Sequence, residues 1–219
     1  RRGKLLQNFK TSIRDFQLLA TDNSPYAPSL YFADKQFLVP RIDESNYLDE
    51  ILNVCTTQNV CAITTLIDPE IELLARNRDL FKNRGILPLC PSKDSASLCF
   101  DKFNFFEYLR ENNIPTILTY DTLENFEKGL SNNDIAFPVF IKPRTGSGSV
   151  GAAKVDSLAE LKERLNKDAD TEYIIQELMV GEDLDADVYV DCISNKPVAI
   201  FSKKKIETKI GGASKTVSF

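Results

Sequence analysis

The sequence predicts an α/β first part followed by an α+β second part, and three observations carry that reading. Short apolar runs alternate with helical patterns over residues 1–91. Hairpins and helices mix over residues 92–219. A loop rich in glycine and serine, Gly146-Ser147-Gly148-Ser149-Val150-Gly151, follows an apolar strand that carries Lys142 at its end. Strands alternating with helices imply a parallel sheet, so the first part is expected to be Rossmann-like.

Residues 4–10 read as a short amphipathic helix, 16–21 as a buried strand, and Asp22-Asn23-Ser24-Pro25 as a turn. A strand follows at 36–40, then a helix over 46–58 capped by Ser45, then an apolar strand at 60–66. Asp68 is read as the cap of a helix that begins at Pro69 and ends at Gly85, before a strand at 86–89. In the second part a helix spans 101–112, a strand 116–120, and a helix 123–130 with Asp121 and Glu124 as its capping box. Strands at 136–142 and 152–155 flank the glycine loop. Ser157 and Glu160 cap a helix over 158–166, and strands follow at 173–177, 185–191 and 198–204. The change of pattern near Pro91 divides the chain into domains 1–91 and 92–219.

Composition narrows the chemistry. The 42% hydrophobic content suffices for a core, and no apolar run approaches the ~18 residues of a membrane helix. The first residues lack the apolar stretch of a signal peptide, so a cytoplasmic protein without a membrane partner is expected. A net charge of −5 argues against a nucleic-acid partner. The five cysteines form no Cys-x-x-Cys pair and are read mainly as small buried hydrophobes. There is no histidine, so any catalysis must use lysine, arginine, carboxylates, backbone dipoles and a metal.

Glycine/serine loops are often plain hairpin connections. This one has neither the Walker pattern nor the dinucleotide pattern, since a strand and not a helix follows it. Its three glycines nevertheless let several backbone N–H groups turn toward one point, and a lysine ends the strand before it. An ammonium beside a nest of amides suits a polyphosphate.

The run from Phe137 to Gly151 resembles the central hairpin of ATP-grasp enzymes, with the nearest likeness to the carbamoyl-phosphate synthase large chain. Asp101-Lys102 opening a helix before Asn113-Ile114-Pro115, the run from Ile174 to Asp183, and Asp185-Ala186-Asp187 with Asp191 resemble further segments of that family, in order and spacing. The resemblance implies a Rossmann-like pre-ATP-grasp domain followed by an α+β ATP-grasp domain. It implies that Lys102 and Lys142 meet the α- and β-phosphates of ATP. Gly146, Ser147, Gly148, Ser149, Val150 and Gly151 would close over the β- and γ-phosphates. Gln176, Glu177, Leu178 and Met179 would lie along the adenine, and Asp183 would accept the ribose hydroxyls. Lys205 or Lys215 would approach the transferred phosphate as catalytic groups.

Family members begin with an apolar strand ahead of the position of Arg1. They continue past Phe219 into a segment whose Glu and Glu-x-Asn hold magnesium. The chain is therefore expected to be truncated at both ends, with no metal ligand of its own. The activity implied is that of an ATP- and Mg2+-dependent ligase. A carboxylate or bicarbonate becomes an acyl phosphate, and an amine displaces the phosphate. A small carboxylate and an amine are then its partners, with a homodimer as a candidate assembly. Many family members carry Arg or His where the substrate carboxylate binds, whereas this chain has Lys203-Lys204-Lys205 in that zone and a loop at 209–215 near the substrate or triphosphate. The alternatives are a nucleotide-binding homologue without turnover, or a Rossmann-like protein for another small molecule in which the glycine loop is an ordinary hairpin.

Overall fold

The structure, a computed structural model, describes residues 2–209 and 212–219. The chain divides into two compact units, the first ending at Cys90 and the second running from Pro91 to Phe219.

The first unit begins with helix α1 (Arg2–Ser12) and strand β1 (Leu19–Asp22). A 3-10 turn (Pro28–Phe32) leads to β2 (Lys35–Leu38). Helix α2 (Tyr47–Thr57) and β3 (Ala62–Ile63) follow, then α3 (Asp68–Arg76), α4 (Arg78–Lys82) and β4 (Leu87–Pro88). The pairs are parallel, as the alternation predicts: β1 lies beside β2, and β3 beside β4. They form two separate two-stranded sheets. A cavity of about 640 Å3 runs along both β1 and β3 and is bordered by Ile51 and Cys55 of α2.

The core of this unit joins Val39, Ile51, Leu52, Leu74, Phe81 and Ile86. Burial of apolar surface there supplies most of the unit's stability. The Glu70 carboxylate is also buried and accepts hydrogen bonds from the hydroxyls of Tyr47 and Thr65. Burial and the neighbouring carboxylate push the Tyr47 phenol well above its ordinary range. Cys55 is buried, and its thiol is pushed up to about 11. The other cysteines correct the sequence reading. Cys61 and Cys99 are exposed, while Cys90 and Cys192 are half-buried.

Two predicted caps here are also corrected. Asn46, not Ser45, precedes α2, and its side chain makes no capping bond. Ile67 occupies the cap position of α3, so Asp68 and Pro69 are its first two residues. Pro69 loses nothing there, because the first N–H groups of a helix have no partner within it. The predicted single helix is interrupted at Asn77, and Gly85, with φ +73°, turns the chain after α4.

The second unit opens with α5 (Lys93–Phe100), absent from the sequence reading, and α6 (Lys102–Glu111). Then come β5 (Thr119–Tyr120), α7 (Leu123–Ser131), β6 (Val139–Pro143), β7 (Ala153–Val155), α8 (Leu158–Lys167) and β8 (Tyr173–Glu177). These strands make an antiparallel sheet in the order β5-β8-β6-β7. Thr122, not Asp121, caps α7 by accepting from Asn125 N–H at 3.2 Å. Ser157 caps α8 as expected.

Phe126 of α7 and Leu161 of α8 pack on Val139, Ile141, Val155 and Ile175. Helices therefore cover one face of the sheet. Because side chains alternate along a strand, Phe140 and Lys142 point to the opposite face. Gly129 of α7 sits against Tyr120, where an added Cβ would fall 2.0 Å from the phenol oxygen. Gly129→Ala is expected to lower stability by about 1–3 kcal/mol, through overpacking, read as a reduced denaturation midpoint in urea.

Strands β9 (Leu184–Val190), β10 (Pro197–Lys209) and β11 (Gly212–Ser218) form a second antiparallel sheet in the order β11-β10-β9. Strand β10 is longer than the predicted 198–204, and β11 was not foreseen. Val188, Ile200 and Phe201 are exposed on this sheet.

Candidate functional site

Lys142 lies one residue from the end of β6, opposite Ile174 of β8. Apolar neighbours leave it half-buried. Burial, and then the nearby Lys102 ammonium, lower its pKa from the ordinary lysine value of 10.5. A cation held in such a place lacks its usual hydration and is suited to an anion that supplies the missing interactions.

Lys102 arrives from another part of the fold. It is the first residue of α6, whose cap Asp101 accepts from the N–H groups of Phe103 and Asn104 at 3.0 Å each. The Lys102 N–H donates to the Arg144 carbonyl at 3.0 Å. Its ammonium donates to the carbonyls of Gly146 at 2.9 Å and Arg144 at 3.3 Å. Two lysines and the N-terminal end of a helix thus meet at the base of the glycine loop.

The loop itself is built for backbone contact. Gly146, Gly148 and Gly151 have φ of +93°, +75° and +74°, and Ser149 also takes a left-handed conformation at +61°. Gly151 is further confined, since a Cβ there would lie 3.0 Å from Pro143 Cγ and 3.1 Å from the Tyr173 hydroxyl. Gly146 and Gly148 have open space instead, so at those two positions the left-handed backbone, not crowding, favours glycine. Ser147 and Val150 are exposed on the loop.

The predicted adenine segment begins on β8, beside β6. Gln176 pairs with Phe140, and its side-chain amide donates to Thr119 Oγ1 at 2.7 Å inside the unit. That side chain is engaged within the protein, which leaves the backbone around it as the part available to a base. Glu177 is exposed, and its N–H donates to the Leu118 carbonyl at 3.0 Å. Leu178 and Met179 follow β8 outside any strand, with Met179 62% exposed.

Lys205 and Asp183 come together in the β9–β10 region. The Lys205 ammonium lies 3.0 Å from Asp183 and 3.1 Å from Asp185. These carboxylates, Asp183 first, raise its pKa. Lys203 pairs with Asp187, and Lys204 with Glu182. The basic run is thus largely paired with its acidic neighbour strand. Lys215 is exposed and pairs with Glu207 at 2.7 Å, on the β10–β11 ladder. The predicted loop at 209–215 includes Ile210 and Gly211, which lie outside the described residues.

Two residues to which the sequence reading gives no site role, Arg144 and Asp101, meet beside Lys102. Arg144 Nε lies 3.0 and 2.9 Å from the two Asp101 carboxylate oxygens. A lysine-helix start and a strand end gave no sequence signal of that pairing, since 43 residues separate them. Among the described residues, no group of three or more His, Cys, Asp or Glu side chains is arranged to hold a metal ion. Among the described residues, no helix is long and apolar enough to cross a membrane.

Comparison with known proteins bears on the fold that carries these residues. The family model described as PylC-like, N-terminal domain matches residues 1–89, and that described as D-ala D-ala ligase C-terminus matches residues 114–211. A phosphoribosylamine–glycine ligase from Halalkalibacterium halodurans is 29% identical over 135 residues, which is 58% of this chain and 31% of that protein.

Among solved structures, N5-carboxyaminoimidazole ribonucleotide synthetase from Thermus thermophilus superposes with a TM-score of 0.68 at 16% identity, over 92% of this chain and 51% of the other. The biotin carboxylase domain of Hydrogenobacter thermophilus 2-oxoglutarate carboxylase, solved with MgADP and bicarbonate, gives 0.70 at 18%, over 93% and 48%. An L-amino acid ligase from Bacillus licheniformis gives 0.65 at 16%, over 91% and 46%. The chain spans about half the length of these solved structures. With a Rossmann-like unit, an antiparallel sheet carrying a lysine and a glycine loop, and these matches to both units, the chain has the fold of ATP-grasp proteins.

Proposed function

We propose that this chain carries the nucleotide-phosphate site of an ATP-dependent ligase that joins a carboxylate to an amine. The observation that carries the proposal is the half-buried Lys142 beside Lys102, under a loop with four left-handed residues. That arrangement offers two cations beside a loop whose left-handed residues suit backbone N–H contact with a triphosphate. The relatives named above are two ligases, a synthetase and a biotin carboxylase domain, the last solved with MgADP, which supports the same reading.

In the reaction, a carboxylate oxygen attacks the γ-phosphorus of ATP and ADP leaves. The amine then attacks the acyl carbon of the acyl phosphate, and inorganic phosphate departs. Negative charge spreads over the transferred oxygens in the first step. Positioning and charge stabilisation therefore do the catalytic work. Lys102 and Lys142 bind and orient the phosphates, and the amides of residues 146–151 close over them. The carbamoyl-phosphate synthase-like version is the case in which bicarbonate is the carboxylate. A small carboxylate, an amine and a cytoplasmic setting complete the proposal.

Carboxylate-stimulated ADP release from Mg-ATP by this chain tests the reading, with supply of an amine expected to raise the rate further. Nucleotide binding without any stimulated release would favour a binding homologue. One observation leans that way: both predicted catalytic lysines are engaged by carboxylates, Lys205 by Asp183 and Asp185 and Lys215 by Glu207.

The lowered Lys142 pKa adds a pH test. Phosphate binds the ammonium form, so affinity for Mg-ATP should decline as pH rises through that lowered value, below the range of an ordinary lysine. Lys142→Ala should flatten this decline. The sign for stability follows from linkage. The unfolded chain holds this proton more tightly than the folded one, so the group costs stability below its folded pKa. That cost fades as pH rises toward 10.5. A calorimetric pH series on both proteins checks the binding result.

A further inference from the structure

The two lysines that define the phosphate site repel one another, and something must hold them together before any anion arrives. The contacts of Arg144 identify what does so. Its Nε meets both Asp101 oxygens at 3.0 and 2.9 Å, and its Nη2 donates to Asn104 Oδ1 at 3.0 Å. Its guanidinium lies 5.5 Å from the centre of the Phe103 ring. Its backbone N–H donates to the Glu172 carbonyl at 2.8 Å, just ahead of β8, and its own carbonyl accepts from Lys102 N–H and Nζ. The Arg144 and Asp101 side chains are 27% and 19% exposed, so the pair is shielded from solvent more than a surface ion pair is. One residue thus connects the strand end that carries Lys142, the first turn of the helix that carries Lys102, and the start of the glycine loop.

We propose that Arg144 and Asp101 are positioning residues for the phosphate site: their ion pair ties the base of the glycine loop to the start of α6 and so sets Lys102 beside Lys142. The proposal rests on the nucleotide reading above and adds residues to it. Asp101 acts twice, as cap and as anchor, and the two roles can be separated. Asparagine caps a helix about as well as aspartate, so Asp101→Asn retains the cap and removes the charge on the anchor. Arg144→Lys retains the positive charge but loses the planar fork that spans Asp101 and Asn104.

The test is calorimetric titration of sodium tripolyphosphate, and separately of Mg-ATP, into the wild type, Arg144→Lys, Asp101→Asn, Lys102→Ala and the double variant Arg144→Lys/Lys102→Ala. Melting curves confirm folding. Either anchor variant is expected to bind both probes about tenfold more weakly, the scale of one charged hydrogen bond. The decisive readout is coupling. If Arg144 acts through Lys102, the double variant should match Lys102→Ala to within about twofold.

Additive losses would mean that Arg144 acts independently of Lys102, for instance by touching the phosphate itself, and would overturn the proposal. So would unchanged affinity in both anchor variants while the wild type binds, which leaves the nucleotide reading intact. Failure of the wild type to bind either probe would remove the nucleotide reading, and the positioning role with it. Should Arg144→Lys fail to fold, Asp101→Asn with Asp101→Asn/Lys102→Ala carries the same comparison.

Discussion

Lys142→Ala is expected to weaken Mg-ATP binding roughly 10- to 100-fold while the protein still melts cooperatively; a buried contact to a charged group is worth about 1.5–3 kcal/mol. The size of the effect comes from the setting. A solvated lysine that meets a phosphate gives up much of its own hydration to do so. Lys142 has already lost part of that hydration in the fold, as its lowered pKa records. The phosphate contact is therefore closer to a net gain. Folding itself should improve slightly below the folded pKa, since the variant no longer buries a cation. Weaker binding with unchanged or greater stability is a combination that simple damage to the fold would not give. Lys128→Ala serves as the comparison, because Lys128 is an exposed helix lysine paired with Glu124 and should leave binding unchanged.

Phe126→Ala is expected to destabilise the second unit by about 3–5 kcal/mol, the range for removing a fully buried phenylalanine. Phe126 is 0% exposed. It packs with Val139, Ile141, Val155, Leu161 and Ile175, and its ring meets Tyr120 and Phe137 edge-on at 5.8 and 5.6 Å. Removing it takes away both apolar burial and two ring contacts, and it leaves a cavity against β6. Because Val139 and Ile141 fix the strand that delivers Lys142, nucleotide affinity should fall along with stability. Urea denaturation followed by circular dichroism gives the size. A loss under 1 kcal/mol would mean that the sheet does not depend on this ring.

Much of the local structure around the candidate site was legible because its signals are local. The Gly146–Gly151 loop needs glycine for its left-handed backbone, and that need is written in the residues themselves. Strand β8 was read with the bounds the structure gives, since Tyr173–Glu177 is a compact run that pairs along its length. The cap at Ser157 was legible for the same reason: the hydroxyl and the Glu160 N–H that donates to it lie three residues apart.

The readings that failed depended on choices between neighbours or on distant partners. Asp121 and Thr122 are both capable of capping α7, and only the backbone path selects Thr122. Strand β3 shrank from the predicted 60–66 to Ala62–Ile63 because its partner β4 pairs with it over two residues. Strand β11 was missed because its polar residues do not look like a strand until β10 lies beside it. The Arg144–Asp101 pair was invisible for the same reason, since its two residues lie 43 positions apart.

The most direct measurement is lysine-selective acylation of the chain, with and without Mg-ATP, followed by peptide mass spectrometry. A lowered pKa leaves more of Lys142 in the neutral, reactive form at a given pH, so its labelling can be followed despite partial burial. The account predicts that Mg-ATP protects Lys142 and Lys102, while Lys154 and Lys162, paired with Asp156 and Glu127 on the surface, label as before. Mg-ATP that binds yet leaves Lys142 and Lys102 labelling unchanged would place the nucleotide elsewhere and contradict the account.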